Sequence, residues 1–106
     1  MIGIDIVEIE DFSDKDYSRI FTKNELAHIN KATSCARKTE VMAGIFAAKE
    51  AVFKAMRLEN LGLDVLKNIE ILHKENGCPY CVFEDKNIEL SISHTRHTAV
   101  AVAIVG

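Results

Sequence analysis

Asp5, Glu50 and Lys54 are charged residues set among apolar neighbours, and their types suit phosphoryl transfer. Two carboxylates match Mg2+, which takes one or two from protein and completes its octahedron with water and substrate phosphates. A lysine nearby is a natural phosphate partner. Ser91-Ile92-Ser93-His94-Thr95 adds an imidazole and a hydroxyl where a strand meets a turn, within reach of a ligand. Each residue also has a plainer reading. Glu50 and Lys54 stand four apart in acid-then-base order, a pairing worth roughly 0.2–0.5 kcal/mol on an exposed helix. Asp5 could end a strand and bond nearby amides, and His94 could be a surface turn residue. Spacing alone leaves both sets of readings open.

A second constellation is Cys78-Pro79-Tyr80-Cys81, the C-P-Y-C motif of glutaredoxins. That chemistry needs its first cysteine at a helix N-terminus, where the dipole lowers the thiol pKa. Here the motif follows Asn76-Gly77, a hairpin-type turn, and enters a strand-like run late in the chain. The expectation is two small, partly buried side chains flanking a turn. A small thiol redox protein using Cys78 and Cys81 stays a remote alternative, and zinc lacks a second cysteine pair.

The elements that must position these residues follow from pattern. Ala43 to Arg57 is rich in alanine, methionine, lysine and glutamate, without proline, and predicts a helix from about Cys35 to Leu58. At about 100° per residue, Met42, Phe46 and Phe53 share one side, and Val41, Ile45, Val52 and Met56 adjoin them. Ala43, Ala47, Ala51 and Ala55 form a strip of small side chains opposite. A helix apolar almost all round belongs in an interior, where its charges, Lys49, Glu50 and Lys54, need partners.

Ile2, Ile4 and Ile6 alternate with Gly3, Asp5 and Val7, the pattern of a strand with one aliphatic face. Aspartate is unfavourable in the middle of a strand, so Asp5 marks either a turn or a carboxylate held rigidly for a ligand. Glu8, Glu10, Asp11, Asp14 and Asp16, with Lys15 among them, predict a short solvated helix or turn ending near Ile20. Thr22 and Glu25 form a capping box, with Phe21 and Leu26 placed as a hydrophobic staple, so Glu25 reads as a cap. That helix runs to about Lys31. Four strands follow, at Ile69–Leu72, Tyr80–Phe83, Ile88–Ile92 and Ala99–Val105, joined by short turns that imply antiparallel pairing. The expected fold is a single α+β domain over residues 1–106: an N-terminal strand, two helices (the second long and buried), then an antiparallel meander.

Composition narrows the function classes. Thirteen basic against sixteen acidic residues give a net charge of −3, with no basic cluster and no tryptophan, so nucleic acid is not an expected partner. The longest apolar run, Ala99 to Val105, is too short to span a bilayer. An N-terminus that turns from apolar to acidic is unlike a signal peptide, and three cysteines suit a reducing compartment. The expected location is the cytoplasm. At this length there is little room for a deep pocket, and a site shared between subunits is a reasonable expectation.

Several blocks in order resemble one family: Gly3-Ile4-Asp5, Phe21-Thr22 with Glu25-Leu26, Phe46-Ala47-Ala48-Lys49-Glu50-Ala51 with Lys54-Ala55, Gly77 with Pro79, and Ser91-Ile92-Ser93-His94-Thr95. They are similar to holo-acyl-carrier-protein synthase, the small 4′-phosphopantetheinyl transferase of fatty acid biosynthesis. The resemblance spans nearly the whole chain. It implies a homotrimer with interfacial active sites, coenzyme A as substrate, Mg2+ as cofactor and an acyl carrier protein as partner. By the same resemblance, Asp5 and Glu50 hold the metal on the pyrophosphate. Glu50, through a water on that metal, helps deprotonate the carrier's serine, whose oxygen attacks the β-phosphate and releases 3′,5′-ADP. Lys54 neutralises phosphate charge and is a candidate donor to the leaving group. His94 and Thr95, from the same or the neighbouring subunit, and Pro79 help seat coenzyme A.

The chain departs from the family in three places. The family's first helix is long and basic, whereas the stretch from Asp11 to Ile20 is short and acidic, which disfavours an acidic carrier. Ile45 stands where the family often has an arginine that contributes to the nucleotide site. Met56 to Leu61 replaces a glycine-rich turn, leaving one glycine at Gly62. These departures keep open a non-catalytic or weakened relative that binds coenzyme A or a carrier protein.

Overall fold

Ile2, Ile4 and Ile6 do alternate along a strand, β1 (Ile2–Glu8), but the face they form points outward. Gly3 and Asp5 point inward and are buried. The computed structural model describes residues 1–13, 17–59 and 62–106. β1 pairs antiparallel with β5 (Thr98–Val105), which in turn pairs antiparallel with β4 (Ile88–His94), giving a sheet of order β1-β5-β4. On its inner face β5 carries Ala99, Ala101 and Ala103, opposite Val7, Asp5 and Gly3.

That run of alanines explains the small-residue strip on the long helix, α2 (Cys35–Ala55). Ala43, Ala47, Ala51 and Ala55 are fully buried, and α2 packs chiefly on β1 and β5. Small side chains on both surfaces let helix and sheet approach closely. At Gly3 the approach is complete: a Cβ there would lie 2.1 Å from the Ala51 carbonyl oxygen and 2.6 Å from the Ala55 nitrogen. No other residue type fits without moving one backbone. Met42, Phe46 and Phe53 of α2, and Met56 at its C-cap, are only partly buried.

α2 ends at Ala55, short of Leu58. Arg57 takes a φ of 56°, a left-handed conformation that costs a non-glycine residue more than glycine. Its Nη1 donates to the Lys54 carbonyl at 2.7 Å and to that of Ile2 at 3.4 Å, tying the helix end to the start of β1.

The acidic stretch begins as a 3-10 turn, Ile9–Phe12, that is less solvated than its charges suggest. Glu10 and Asp11 are exposed, but Ile9 and Phe12 are buried, and the Tyr17 ring lies 4.5 Å from that of Phe12. Asp14, Lys15 and Asp16 lie outside the described residues, as do Asn60 and Leu61. The first α-helix, α1 (Lys23–Asn30), opens with the expected capping box. Thr22 Oγ1 accepts from the Glu25 amide, and the Thr22 amide donates to Glu25 Oε1 at 2.8 Å.

After a short helix that the pattern did not indicate, α3 (Leu63–Asn68), come the four expected strands. β2 (Glu70–His73) and β3 (Pro79–Val82) form one antiparallel hairpin, turning through Gly77 at φ 91°. β4 and β5 form another. The α+β order therefore stands, but the strands do not run as one continuous meander. The ladder breaks between β3 and β4, and β1 completes the second sheet. No helix among the described residues is long and apolar enough to cross a membrane.

Candidate functional site

β1 and α2, held backbone to backbone at Gly3, bring Asp5 and Lys54 into contact. Lys54 Nζ lies 2.8 Å from Asp5 Oδ1 and donates to the Ile4 carbonyl at 3.2 Å. Lys54 thus reaches across to the strand instead of back along α2 to Glu50. Asp5 is buried, and its Oδ2 has no hydrogen-bond partner among the described residues. Burial, then the charge of Asp5, pushes the Glu50 carboxyl above the usual range, with Lys54 opposing. The hydrogen bond to Asp5 holds Lys54 above the usual lysine range.

Two carboxylates sharing one partly exposed ammonium leave an excess negative charge and an unpaired buried oxygen. Such a donor set fits a hard divalent cation. Among the described residues no three His, Cys, Asp or Glu side chains gather as a metal cluster. An ion held here would draw on Asp5 and Glu50 alone and retain open positions for water or phosphate.

Lys49, one residue before Glu50, does something else. It is fully buried and sits 2.9 Å from Glu25 Oε1, also donating at 2.7 Å to the carbonyls of Leu66 and Ile69. Three acceptors meet the three N–H donors of the ammonium, so its charge is satisfied. Burial pulls Lys49 below the usual lysine range, while Glu25 opposes. Glu25 is therefore more than a cap: its Oε2 also accepts from the Ile71 amide at 2.7 Å, so one carboxylate joins α1, α2 and β2. The signal was available in Lys49, a lone cation on a buried helix face.

The remaining expected site residues lie on the other flank of α2. A cavity of about 240 Å³ is lined by Pro79 and His94, with Arg37, Ile45, His28 and His73 among its walls. Asp5, Ala101 and Ile92 share a row across the sheet, and Ile92 also borders the cavity. Two strand spacings of about 4.8 Å place that wall roughly 10 Å from Asp5. Within one chain, then, the carboxylates and the cavity do not meet. His94 Nδ1 lies 3.0 Å from the Thr95 carbonyl, which accepts from it. Thr95 does not line the cavity; its hydroxyl oxygen accepts from the His97 and Thr98 amides and shapes the β4–β5 turn.

His28 and His73 escaped sequence reasoning. Their rings stack with centroids 3.9 Å apart and planes 7° from parallel. Burial, then the neighbouring His28 and Arg37, pulls His73 down to about 4, and burial, then Lys31 and Arg37, lowers His28. His73 Nδ1 is buried without a hydrogen-bond partner among the described residues. The two lie 45 positions apart, on α1 and β2, and no short-range pattern links them.

The C-P-Y-C motif is not at a helix start. Cys78 precedes β3 and is exposed, whereas Cys81 lies within it and is partly buried. Burial pushes the Cys81 thiol up to about 12, the opposite of an activated thiolate.

The model of the 4′-phosphopantetheinyl transferase superfamily matches residues 1–105. The chain belongs to that superfamily. The resemblance read from the sequence blocks is thereby borne out. A holo-[acyl-carrier-protein] synthase of Anoxybacillus flavithermus is 42% identical over 113 residues, covering 98% of this chain and 92% of that protein. A holo-(acyl-carrier-protein) synthase from Bacillus anthracis, solved in complex with CoA (3′,5′-ADP), superposes with a TM-score of 0.87 at 37% identity over 98% of this chain and 93% of that one. The Helicobacter pylori holo-[acyl-carrier-protein] synthase, solved with coenzyme A, gives 0.83 at 28% identity over the full length of both. In this transferase-superfamily member, the blocks that carried the resemblance lie in β1, at the start of α1, along α2, at the β2–β3 turn and at the end of β4.

Proposed function

We propose that this protein transfers 4′-phosphopantetheine from coenzyme A to a serine of an apo-acyl carrier protein, releasing 3′,5′-ADP. The observation that carries this reading is the Asp5–Lys54 contact beside Glu50, in a chain whose relatives bear that activity in their names. Asp5 and Glu50 would hold Mg2+, a reading supported by the buried Asp5 Oδ2, which has no hydrogen-bond partner among the described residues. When bound, the ion neutralises charge building on the phosphate oxygens. Lys54, partly exposed, meets the pyrophosphate and gives a proton to the departing 3′,5′-ADP oxygen. Glu50, whose raised pKa suits it to accept a proton, takes the serine hydroxyl proton through an intervening water. The serine oxygen bonds to the β-phosphorus as the bond to the α-phosphate oxygen breaks.

Pro79 and His94, with Thr95 at the adjoining turn, seat coenzyme A on the cavity flank. Because that cavity borders β4, two strands and roughly 10 Å from Asp5 on β1, the proposed site draws its halves from two copies of the chain. The outer face of the sheet supports such an assembly. Ile2, Ile4, Ile6 and Ile104 are exposed, Ile6 by 67%, and together with Val100 and Val102 form a continuous apolar surface in register. A face of this kind fits a second copy, and we assign a homotrimer acting in the cytoplasm in fatty acid biosynthesis.

Incubation with coenzyme A, Mg2+ and a panel of apo-carriers, read as carrier mass gain, tests the function. Asp5→Asn and Glu50→Gln should each abolish the gain. Full turnover in both variants would remove the metal site from the reading. Ile4→Lys with Ile104→Glu should yield monomers by light scattering and lose turnover.

One observation favours a second reading. Ile45, buried in the cavity wall, brings no charge to the nucleotide. A non-catalytic relative would bind coenzyme A calorimetrically yet give no product with any carrier.

A further inference from the structure

We infer that Lys49 is a positioning residue for the reaction: its buried ammonium, anchored at three points outside α2, fixes the rotation of that helix and so aims Glu50, the next residue. This rests on the proposed function, which gives Glu50 its role. Three observations carry it. Hydrophobic burial does not choose a rotation for α2, because the helix is apolar almost all round. Interlocking against the sheet does not choose one either, since Ala43, Ala47, Ala51 and Ala55 face Gly3 and the inner alanines of β5. Lys49, by contrast, is the largest fully enclosed side chain of α2, on one stripe with Ile45 and Val52.

Its Nζ lies 2.9 Å from Glu25 Oε1 on α1, and 2.7 Å from the carbonyls of Leu66 in α3 and Ile69 at the α3 C-cap. Hydrogen bonds have direction where apolar contacts do not. A buried ion pair is otherwise no gain over apolar residues of similar volume. The Lys54–Asp5 contact does not hold the rotation during turnover, because Lys54 is half exposed and the proposed reaction draws both partners to other tasks. Glu50 stands about 100° around the helix from Lys49, so a roll of about 20° carries its carboxylate, roughly 6 Å from the axis, by about 2 Å. A displacement of about 1 Å is enough to cost a hundredfold in rate.

Lys49→Met alone strands the Glu25 carboxylate and tests the fold as much as the aim. The decisive variant is therefore Lys49→Met with Glu25→Gln, which removes both charges. Assayed where circular dichroism shows it folded, it should lose about a hundredfold in kcat. Calorimetry with coenzyme A and no carrier separates aim from stability. Affinity in EDTA should match wild type, whereas the tightening that Mg2+ brings to wild type should disappear. Glu25→Gln alone leaves Nζ an amide oxygen and both carbonyls, and should keep kcat and the Mg2+ response. Ile71→Ala, a buried truncation that also destabilises, should keep them too. A folded double variant with wild-type kcat and Mg2+ response overturns the inference, as does an equal loss of coenzyme A affinity with and without Mg2+. If wild type responds to Mg2+ and turns over while the double variant matches it, this inference alone falls. If wild type does neither, the proposed function falls and takes the inference with it.

Discussion

Lys54 Nζ and Asp5 Oδ1, 2.8 Å apart, join the last turn of α2 to the middle of β1. The ammonium is the one cation that the structure sets beside both Asp5 and Glu50 among the described residues. Lys54→Met should leave two carboxylates facing each other without relief. The expected result is a lower Tm in metal-free buffer and a fall in kcat/KM of roughly a hundredfold, typical of losing one group that stabilises developing charge. Scanning calorimetry and steady-state kinetics check the two effects separately.

Glu50 should trade stability for function. Its carboxyl titrates above 4.5, so the folded chain binds more protons than the unfolded chain between that value and the raised one. Stability from this group therefore falls as pH rises through that window. Glu50→Gln should raise the metal-free Tm at neutral pH and abolish turnover. A lower Tm in the variant contradicts the assignment of Glu50 as a strained, functional acid.

The Glu25–Lys49 pair should behave differently, because both partners are fully buried and fully bonded. Lys49→Met alone strands a buried carboxylate and should cost about 3–5 kcal/mol. Glu25→Gln added to it should recover part of that loss. Urea titrations of the two single variants and the double variant complete the cycle.

His73 should set an acid limit. Its pKa is depressed, so the stability it contributes is complete above about 6.5 and is lost as pH falls through about 4. The urea midpoint of the wild-type protein should therefore decline between those values, and His73→Phe should flatten part of that slope. An unchanged slope would show that other groups carry the acid sensitivity.

Gly3→Ala should be among the most damaging single methyl additions in the chain. The new Cβ meets backbone atoms of Ala51 and Ala55, which have no rotamers to yield. Overpacking of this kind costs roughly 1–3 kcal/mol, and it should displace Asp5 relative to Glu50. Turnover should drop by more than the stability loss accounts for under conditions where the variant is fully folded.

Local pattern recovered what is locally encoded. The Thr22–Glu25 capping box, the long helix and four strands follow from residues a few positions apart, and they appear where expected. Asp5, Glu50 and Lys54 were legible because charge is conspicuous on an apolar background. The pairing of Lys54 was not, since Glu50 is nearer in sequence and only the β1–α2 contact makes Asp5 nearer in space. The outward face of Ile2, Ile4 and Ile6 was equally hidden: alternation fixes two faces but not which one meets the core. The inner alanines of β5 and the strip on α2 decide that, and they lie about half the chain apart. Between β3 and β4, where the ladder breaks, Glu84 takes a φ of 52° that no residue-type rule indicates.

The meeting of Gly3 with Ala51 and Ala55 has a consequence for selectivity. Where two main chains touch directly, their separation works as a fixed gauge, since no side chain between them can shift to widen or narrow it. The mouth formed by Asp5 and Glu50 inherits that rigidity. Ionic radius then becomes a criterion: magnesium and manganese should be accepted, while calcium, with its longer oxygen bonds and larger coordination number, should be a poor substitute even in excess.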